Sequence, residues 1–237
     1  LGINPADGML YVAAHNGVFR LPVDGTASRV GDEAQDTMGF TVAGPDHFLA
    51  SGHPAPLQGG PDHLGLIESV DAGRTWRTLS LAGEADFHAL RHRHETTYGY
   101  NSVTGRFMAS ADGVQWDNRS TIDLIDFAVS PTDPNLVLGT TETGIVGSVD
   151  GGRTWASAAG PPVVLLAWDT PQRLWGVTAG GELLRSADGG DRWSSTGQAP
   201  GAPSAFAADG EALYLAVPDE GVFGSDEAGA SWQRRYP

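Results

Sequence analysis

An eight-residue phrase that recurs at a nearly constant interval is the feature that most constrains the fold of this chain. Its full copies read SVDAGRTW, SVDGGRTW, SADGGDRW and SDEAGASW, and a further copy, SADGVQW, is one residue shorter. The copies begin at Ser69, Ser110, Ser148, Ser186 and Ser225, so the steps are 41, 38, 38 and 39 residues. A period of this length is typical of β-propellers, in which each repeat forms one four-stranded blade.

Each residue type in the phrase has a role in a tight turn. Aspartate and serine side chains hydrogen-bond to backbone groups of their own turn. Glycine at the fifth position allows the positive φ that a tight hairpin needs. The tryptophan is expected to lie in the seam between blades, where its burial contributes about 1.5–3 kcal/mol. We therefore interpret the five tryptophans of these phrases as structural residues and not as platforms for sugar stacking.

These phrases resemble the Asp-box, S/T-x-D-x-G-x-T/S-W, of the BNR-repeat propellers, a family that includes sialidases, related glycoside hydrolases, photosystem assembly factors and sorting receptors. The resemblance implies an all-β β-propeller with four antiparallel strands per blade and with Asp-box turns between the third and fourth strands. Together with a degraded repeat at the start of the chain, the repeats predict a six-bladed propeller. Because its members differ in activity, the family leaves the activity open. Most Asp-box propellers are exported, so the resemblance also implies an extracytoplasmic protein, secreted or envelope-anchored, whose leader has been removed.

A sixth repeat opens the chain in a degraded form. Gly17–Arg20 aligns with the strand that precedes a box, and Leu21–Gly25 follows it without serine or tryptophan. The long interval to Ser69 is explained by an insertion at Ser51–Gly65, rich in proline and glycine, which we interpret as a recognition loop, a lid or an insertion without function. We predict a single domain, closed by packing and preceded natively by a few residues, with blades at about 1–33, 34–82, 83–121, 122–160, 161–199 and 200–237.

Charge and composition narrow the classes of partner. The 14 basic residues are all arginine and stand against 29 acidic residues, for a net charge of −15. This balance argues against nucleic acid and anionic membrane surfaces as partners. Cysteine is absent, which excludes disulfides and thiol chemistry. No apolar run is long enough to span a bilayer. We expect the protein to be a monomer.

Propeller topology sorts the polar residues by face. In a propeller, the first strand of each blade begins at one face, and the loops between the second and third strands emerge at the same face. We call it the top face. The box turns lie on the opposite face. Residues expected at the top face include Met38, His15, His53, His63, Asp86, His88, Asn101, Asp126 and Glu142, with Tyr100 at the end of a second strand. We predict that a small molecule, glycan or protein binds there over the first four blades, and we take Met38, Tyr100, Asn101 and His15 as ligand-binding residues.

A metal ion is compatible with this face. His53 and His88 are the candidate ligands, completed by Asp86 or Met38, with His15 as an alternative histidine. Imidazole together with carboxylate suits zinc or a similar metal, whereas a methionine ligand would favour copper. The other interpretation is that these are solvated surface histidines.

The alternative function is that of a glycoside hydrolase-like enzyme with Asp86 and Asp126 as paired carboxylates and Glu142 as a third candidate. Inverting and retaining chemistry would need carboxyl separations of about 6.5–9.5 Å and about 5–5.5 Å respectively. Either aspartate could instead bind the backbone of a neighbouring blade. Sialidase activity is not expected, because the arginines lie on strands and turns away from the top face. Tyr100 therefore lacks the arginine clamp that a sialidase nucleophile requires.

Overall fold

In the computed structural model, which describes residues 1–22, 26–56 and 59–236, the chain is built from strands. The described residues form six four-stranded antiparallel sheets, each with its strands in sequence order. The predicted all-β fold with four antiparallel strands per blade is therefore confirmed. No helix among the described residues is long and apolar enough to cross a membrane. Two compact units, Leu1–Ile122 and Asp123–Pro237, hold three sheets each, and the single-domain assignment stays a prediction.

The described residues of the first unit form twelve strands. Its first sheet consists of β1 (Gly2–Asn4), β2 (Met9–Ala14), β3 (Gly17–Leu21) and β4 (Ser28–Val30). The second consists of β5 (Asp36–Gly44), β6 (His47–His53), β7 (Leu66–Ser69) and β8 (Arg77–Ser80). The third consists of β9 (Phe87–Arg93), β10 (Thr96–Asn101), β11 (Arg106–Ser110) and β12 (Asp117–Thr121).

The second unit repeats the same order. Its first sheet consists of β13 (Asp126–Val129), β14 (Val137–Thr141), β15 (Gly144–Ser148) and β16 (Ala156–Ser157). The second consists of β17 (Val163–Thr170), β18 (Arg173–Thr178), β19 (Glu182–Ser186) and β20 (Ser194–Gln198). The third consists of β21 (Ala205–Asp209), β22 (Ala212–Val217), β23 (Gly221–Ser225) and β24 (Gln233–Tyr236).

The repeated phrase forms the turn between third and fourth strands, with the hydrogen bonds that its residue types predict. Ser69 Oγ accepts a bond of 2.8 Å from Gly73 N and donates one of 2.8 Å to Asp71 Oδ1. The same aspartate oxygen accepts a bond of 2.9 Å from Thr75 N. Gly73 has a φ of 84°, and Trp76 Nε1 donates to its carbonyl at 3.1 Å. Membership of the Asp-box family rests on the sequence resemblance and stays a prediction.

Apolar side chains from neighbouring sheets interlock within the first unit. Phe48 is fully buried and makes edge contacts with Tyr11 and Phe40, at centroid distances of 4.8 and 5.4 Å. At Gly39 in β5 the backbones approach so closely that a Cβ would lie 2.1 Å from Phe87 O in β9. A side chain at position 39 would therefore clash with the backbone of β9 unless one of the two strands shifted, and the start of β9 lies directly against the second sheet.

The second unit is packed in the same way. One apolar cluster includes Leu138, Leu166 and Leu174, and partly buried Trp193 packs against it. Another is built around Trp175, which is fully buried. The tryptophans of the five phrases are all partly buried, in keeping with the structural role that the sequence predicts.

Two sequence predictions fall partly outside the described residues. In the degraded first box, Leu21–Gly25, the residues 23–25 are outside the described ranges. In the Ser51–Gly65 insertion the same is true of residues 57 and 58. The returning arm of the insertion, residues 59–65, is hydrogen-bonded on both sides. Leu64 N donates to Gly52 O at 2.8 Å, and Gly83 N donates to His63 O at 2.8 Å. His63 is thus fixed next to the end of β6.

Candidate functional site

Three side chains of types that can bind a metal ion meet where β6 ends, where the insertion returns and where β9 begins. His53 is the last residue of β6, His63 lies on the returning arm, and Asp86 directly precedes β9. One ligand atom from each of these residues lies within 4.8 Å of the other two. In the part of the chain that the structure describes, this is the one set of three or more histidine or acidic side chains that meets in this way. We call it the His–Asp cluster.

The hydrogen bonds of His53 determine which of its nitrogens faces the cluster. Its Nδ1 lies 2.8 Å from the backbone oxygen of Asp62. A carbonyl can only accept, so Nδ1 carries a hydrogen and the neutral ring presents its lone pair at Nε2. That Nε2 lies 3.4 Å from Asp86 Oδ2. A lone pair facing a carboxylate is repulsive, so the arrangement is favourable only when a proton or a metal ion lies between the two atoms.

Asp86 is a buried carboxylate with one oxygen still to be satisfied. The residue is 3% exposed. Its Oδ2 accepts hydrogen bonds from His88 Nε2 at 2.9 Å and from Ser102 Oγ at 3.4 Å. Its Oδ1 has no hydrogen-bond partner among the described residues. Because burying an unpaired carboxylate oxygen is costly, this atom is a natural ligand for a cation.

Two opposing effects set the ionisation of Asp86. Burial acts to raise its pKa, whereas the hydrogen bond from His88 and the charges of His88, His53 and His63 act to lower it. The net result is a pKa below the ordinary value of 3.8. The group is therefore an anion at neutral pH, the form in which a carboxylate binds metal.

His63 supplies the third side of the cluster. Its Nδ1 is buried and has no hydrogen-bond partner within the described ranges. Its ring lies 5.3 Å from that of His53, with an angle of 52° between the planes. The sequence placed His63 at the top face but assigned it no metal role. A second histidine ten residues after His53, within one insertion that must return to the same blade, is the signal that could have identified it.

His88 lies beside the cluster but is not one of its three members. Its hydrogen bond to Asp86 raises its pKa, burial lowers it, and the charges of Asp86 and Asp36 raise it further, so that the pKa lies above 6.5. Asp36 is paired with His15, whose Nδ1 is 2.8 Å from Asp36 Oδ1, and lies opposite His53 in the β5–β6 register. Imidazoles and carboxylates thus form one continuous polar patch.

The other predicted ligand-binding residues differ in exposure. Met38 lies in β5 and is 38% exposed. Tyr100 is buried in β10. Asn101 is also buried, and its Oδ1 accepts hydrogen bonds from Asp86 N at 3.3 Å and from Val103 N at 3.1 Å. Asn101 therefore holds the backbone that presents Asp86.

The second unit contains the remaining predicted carboxylates. Asp126 is buried at the start of β13, and its Oδ2 accepts a bond of 2.9 Å from Leu166 N in β17. This is the bond to a neighbouring blade that the sequence allowed as an alternative to catalysis. Glu142 is exposed in the β14–β15 turn. Asp86 and Asp126 thus have different partners, imidazoles in one case and a backbone amide in the other.

Comparison with known proteins supports the fold. No protein-family model matches this sequence, and no curated protein matches it either. Among solved structures, a crystal structure of a nidogen/laminin complex aligns with a TM-score of 0.70 and 16% identity, over 95% of this chain and 93% of that chain. A structure of YCF48 bound to D1 peptide aligns with a TM-score of 0.52 and 16% identity, over 84% of this chain and 67% of the other.

Glycoside hydrolases of family GH74 are also similar in structure. The GH74 xyloglucanase from Xanthomonas campestris aligns with a TM-score of 0.57 and 17% identity over 94% of this chain. The chain spans only 37% of the length of that enzyme. At such identities the likeness concerns the fold, and together with the six sheets it identifies a six-bladed β-propeller.

Proposed function

We propose that this chain is a ligand- or partner-binding β-propeller whose recognition site carries a divalent transition-metal ion at the His–Asp cluster. The observation that carries the proposal is the meeting of three ligand atoms within 4.8 Å. Two atoms of the same side chains, Asp86 Oδ1 and His63 Nδ1, are buried without a hydrogen-bond partner among the described residues. A metal ion would satisfy such groups, and it would replace the proton that His53 otherwise needs in order to face Asp86.

Zinc is the metal that this set of donors favours. Two imidazole nitrogens and one carboxylate oxygen are ligands that zinc commonly takes, at about 2.0–2.2 Å. Copper(II) also binds nitrogen and oxygen donors, and its intrinsic affinity is higher. None of the three side chains that define the cluster is a sulfur donor, so the preference for copper that Met38 would give does not come from the cluster itself. Both metals therefore belong in the test.

The test measures metal content and affinity in the purified protein. Chelator-stripped chain is supplied with zinc or copper(II), dialysed and analysed by mass spectrometry for metal per chain, and affinity is obtained by competition with a chromophoric chelator. We expect one ion per chain. His63→Ala removes a ligand and should weaken binding by more than the roughly 10–100-fold typical of outer-shell residues.

A matched control separates this site from adventitious binding. His94 is an exposed histidine in the β9–β10 turn with a φ of 54°, so His94→Asn removes an imidazole while tolerating that backbone conformation. It should bind metal as the unmodified chain does. Substoichiometric metal under supplementation, or equal affinity in His63→Ala and His94→Asn, would refute the metal site.

Ligand or partner binding and cellular location complete the proposal. The YCF48 structure, with a bound peptide, gives an example of the fold in a complex. The Asp-box resemblance supports an extracytoplasmic protein. Fractionation of cells that express the full-length native protein tests the location, and capture with the metal-loaded chain, compared with His63→Ala, tests for a metal-dependent partner.

A glycoside hydrolase-like activity remains the alternative, favoured by the fold that the chain shares with the GH74 xyloglucanase. The bond from Leu166 N to Asp126 counts against it, because it occupies one oxygen of a required carboxylate. A panel of glycosides, xyloglucan included, tests it. Turnover that disappears in Asp126→Asn would support the enzyme, whereas silence across the panel would oppose it.

A further inference from the structure

We propose that a metal ion in the His–Asp cluster retains an open coordination position that takes a carboxylate of the bound ligand, and that His88 is the positioning residue that orients the Asp86 carboxylate towards this metal. The inference rests on the proposed function and goes beyond it by naming the chemistry of the ligand. It follows from the number of protein donors, the hydrogen bonds of Asp86, the exposure of the cluster and its charge.

The number of donors comes first. Among the described residues the cluster contains three ligating side chains, His53, His63 and Asp86. Structural zinc sites are closed by four protein ligands, whereas sites with three protein ligands leave a fourth position to water or to a substrate. A metal ion bound by this cluster is therefore coordinatively unsaturated with respect to the described part of the chain.

The hydrogen bonds of Asp86 fix the orientation of its carboxylate in the cluster. His88 Nε2 at 2.9 Å and Ser102 Oγ at 3.4 Å both engage Oδ2. Oδ2 is also the oxygen that lies 3.4 Å from His53 Nε2. His88 therefore holds the oxygen that faces His53, and so fixes the direction in which Asp86 presents its carboxylate to a metal ion. His88 thus acts through Asp86 and not on the metal.

Exposure shows where an external ligand can enter. The Asp86 side chain is 5% exposed, while those of His53 and His88 are 37% and 43% exposed. The protein therefore encloses the carboxylate side of the cluster and leaves the imidazole side open to solvent. A ligand group can reach the metal from that side without a change in the fold.

Charge determines the class of ligand. A divalent ion with one anionic protein ligand has an excess charge of one positive unit. Asp36, the nearby second carboxylate, is already paired with His15 at 2.8 Å. A single anionic oxygen donor neutralises the excess, and carboxylate oxygens are among the ligands that zinc takes. A ligand carboxylate meets both requirements.

The experiment uses the full chain loaded with cobalt(II), whose visible spectrum reports coordination. Acetate and acetohydroxamate serve as probes, titrated into the cobalt-loaded protein. We expect a saturable spectral change with each. His88→Ala should keep the cobalt stoichiometry but weaken acetate binding about tenfold, within the range for outer-shell partners. His88→Gln, whose amide can still donate to Asp86, should recover part of the loss, and His94→Asn should match the unmodified chain.

The outcomes separate the two proposals. Cobalt binding with no spectral response to either probe would mean a closed metal site, which overturns this inference and leaves the metal site intact. Unchanged acetate affinity in His88→Ala would remove His88 from its positioning role. Failure of cobalt, zinc and copper to bind would overturn both proposals together.

Discussion

Alanine substitution of two aspartates at equivalent positions should separate a functional carboxylate from a structural one. Asp86 directly precedes the first strand of its blade and Asp126 begins the first strand of the next. We expect Asp126→Ala to destabilise the fold clearly and Asp86→Ala to do so little, although both residues are almost fully buried. The truncation is the same at both positions, so the comparison isolates the partners of each carboxylate.

The expected magnitudes follow from those partners. Asp126→Ala removes the acceptor of Leu166 N, at 2.9 Å and in a residue that is 1% exposed. A buried donor left without a partner costs about 1–3 kcal/mol. Asp86→Ala removes a hydrogen-bond or ion-pair partner from the side chains of His88, His53 and Ser102. The two histidine side chains are more than a third exposed. Water can replace these partners, so a cost of about 1 kcal/mol or less is expected.

Urea unfolding, followed by both tryptophan fluorescence and circular dichroism, provides the assay, because a chain with two compact units need not unfold in a single transition. If the same variants are unfolded by heat, each 1 kcal/mol of lost stability should lower the Tm of a chain of this size by about 2–4 °C. Asp126→Asn retains an acceptor oxygen and is the control, since it should keep most of the stability. An Asp86→Ala variant as unstable as Asp126→Ala would show that Asp86 is structural and would contradict the reasoning.

Two further predictions concern pH and packing. In metal-free protein, the pKa of His88 is raised from 6.5 and that of Asp86 is lowered from 3.8, so their pair stabilises the fold fully between pH 3.8 and 6.5. This stabilisation should be lost as the pH rises through the pKa of His88 in the folded protein. It should also be lost as the pH falls through the pKa of Asp86 in the folded protein. The measurement is the free energy of unfolding of His88→Gln and of the unmodified chain as a function of pH. A difference between the two that grows above neutral pH would contradict the prediction. Gly39→Ala should destabilise by about 1–3 kcal/mol because its Cβ would meet Phe87 O at 2.1 Å, whereas at Gly44 in the same strand the nearest atom is 3.9 Å away. Equal unfolding midpoints for Gly39→Ala and Gly44→Ala would disprove the packing argument.

Much of the fold could be predicted because its signals are local. Serine, aspartate, glycine and tryptophan form each turn within eight residues, as the bonds of Ser69 and Asp71 show. A repeat of such turns requires one blade per period, and blade topology then brings the end of β6 next to the start of β9. For that reason the sequence alone predicts His53, Asp86 and His88 on one face.

The composition of the candidate site could be predicted only in part. His63 became a member of the cluster because the insertion returns along Gly52 and Gly83, and the path of a proline- and glycine-rich loop has no periodic pattern to indicate it. Asp126 appeared equivalent to Asp86 in sequence, but its partner, Leu166 N, lies 40 residues further along the chain. Such pairings depend on how separate strands pack.

The amino-acid sequence by itself therefore determined the propeller, its repeat and the face on which polar residues gather, since all three follow from short-range turn chemistry and strand periodicity. Only the tertiary structure decided which atoms meet there. The buried oxygen of Asp86, the buried nitrogen of His63 and the hydrogen bond of His88 result from long-range packing, which aligns side chains that no local pattern relates to one another.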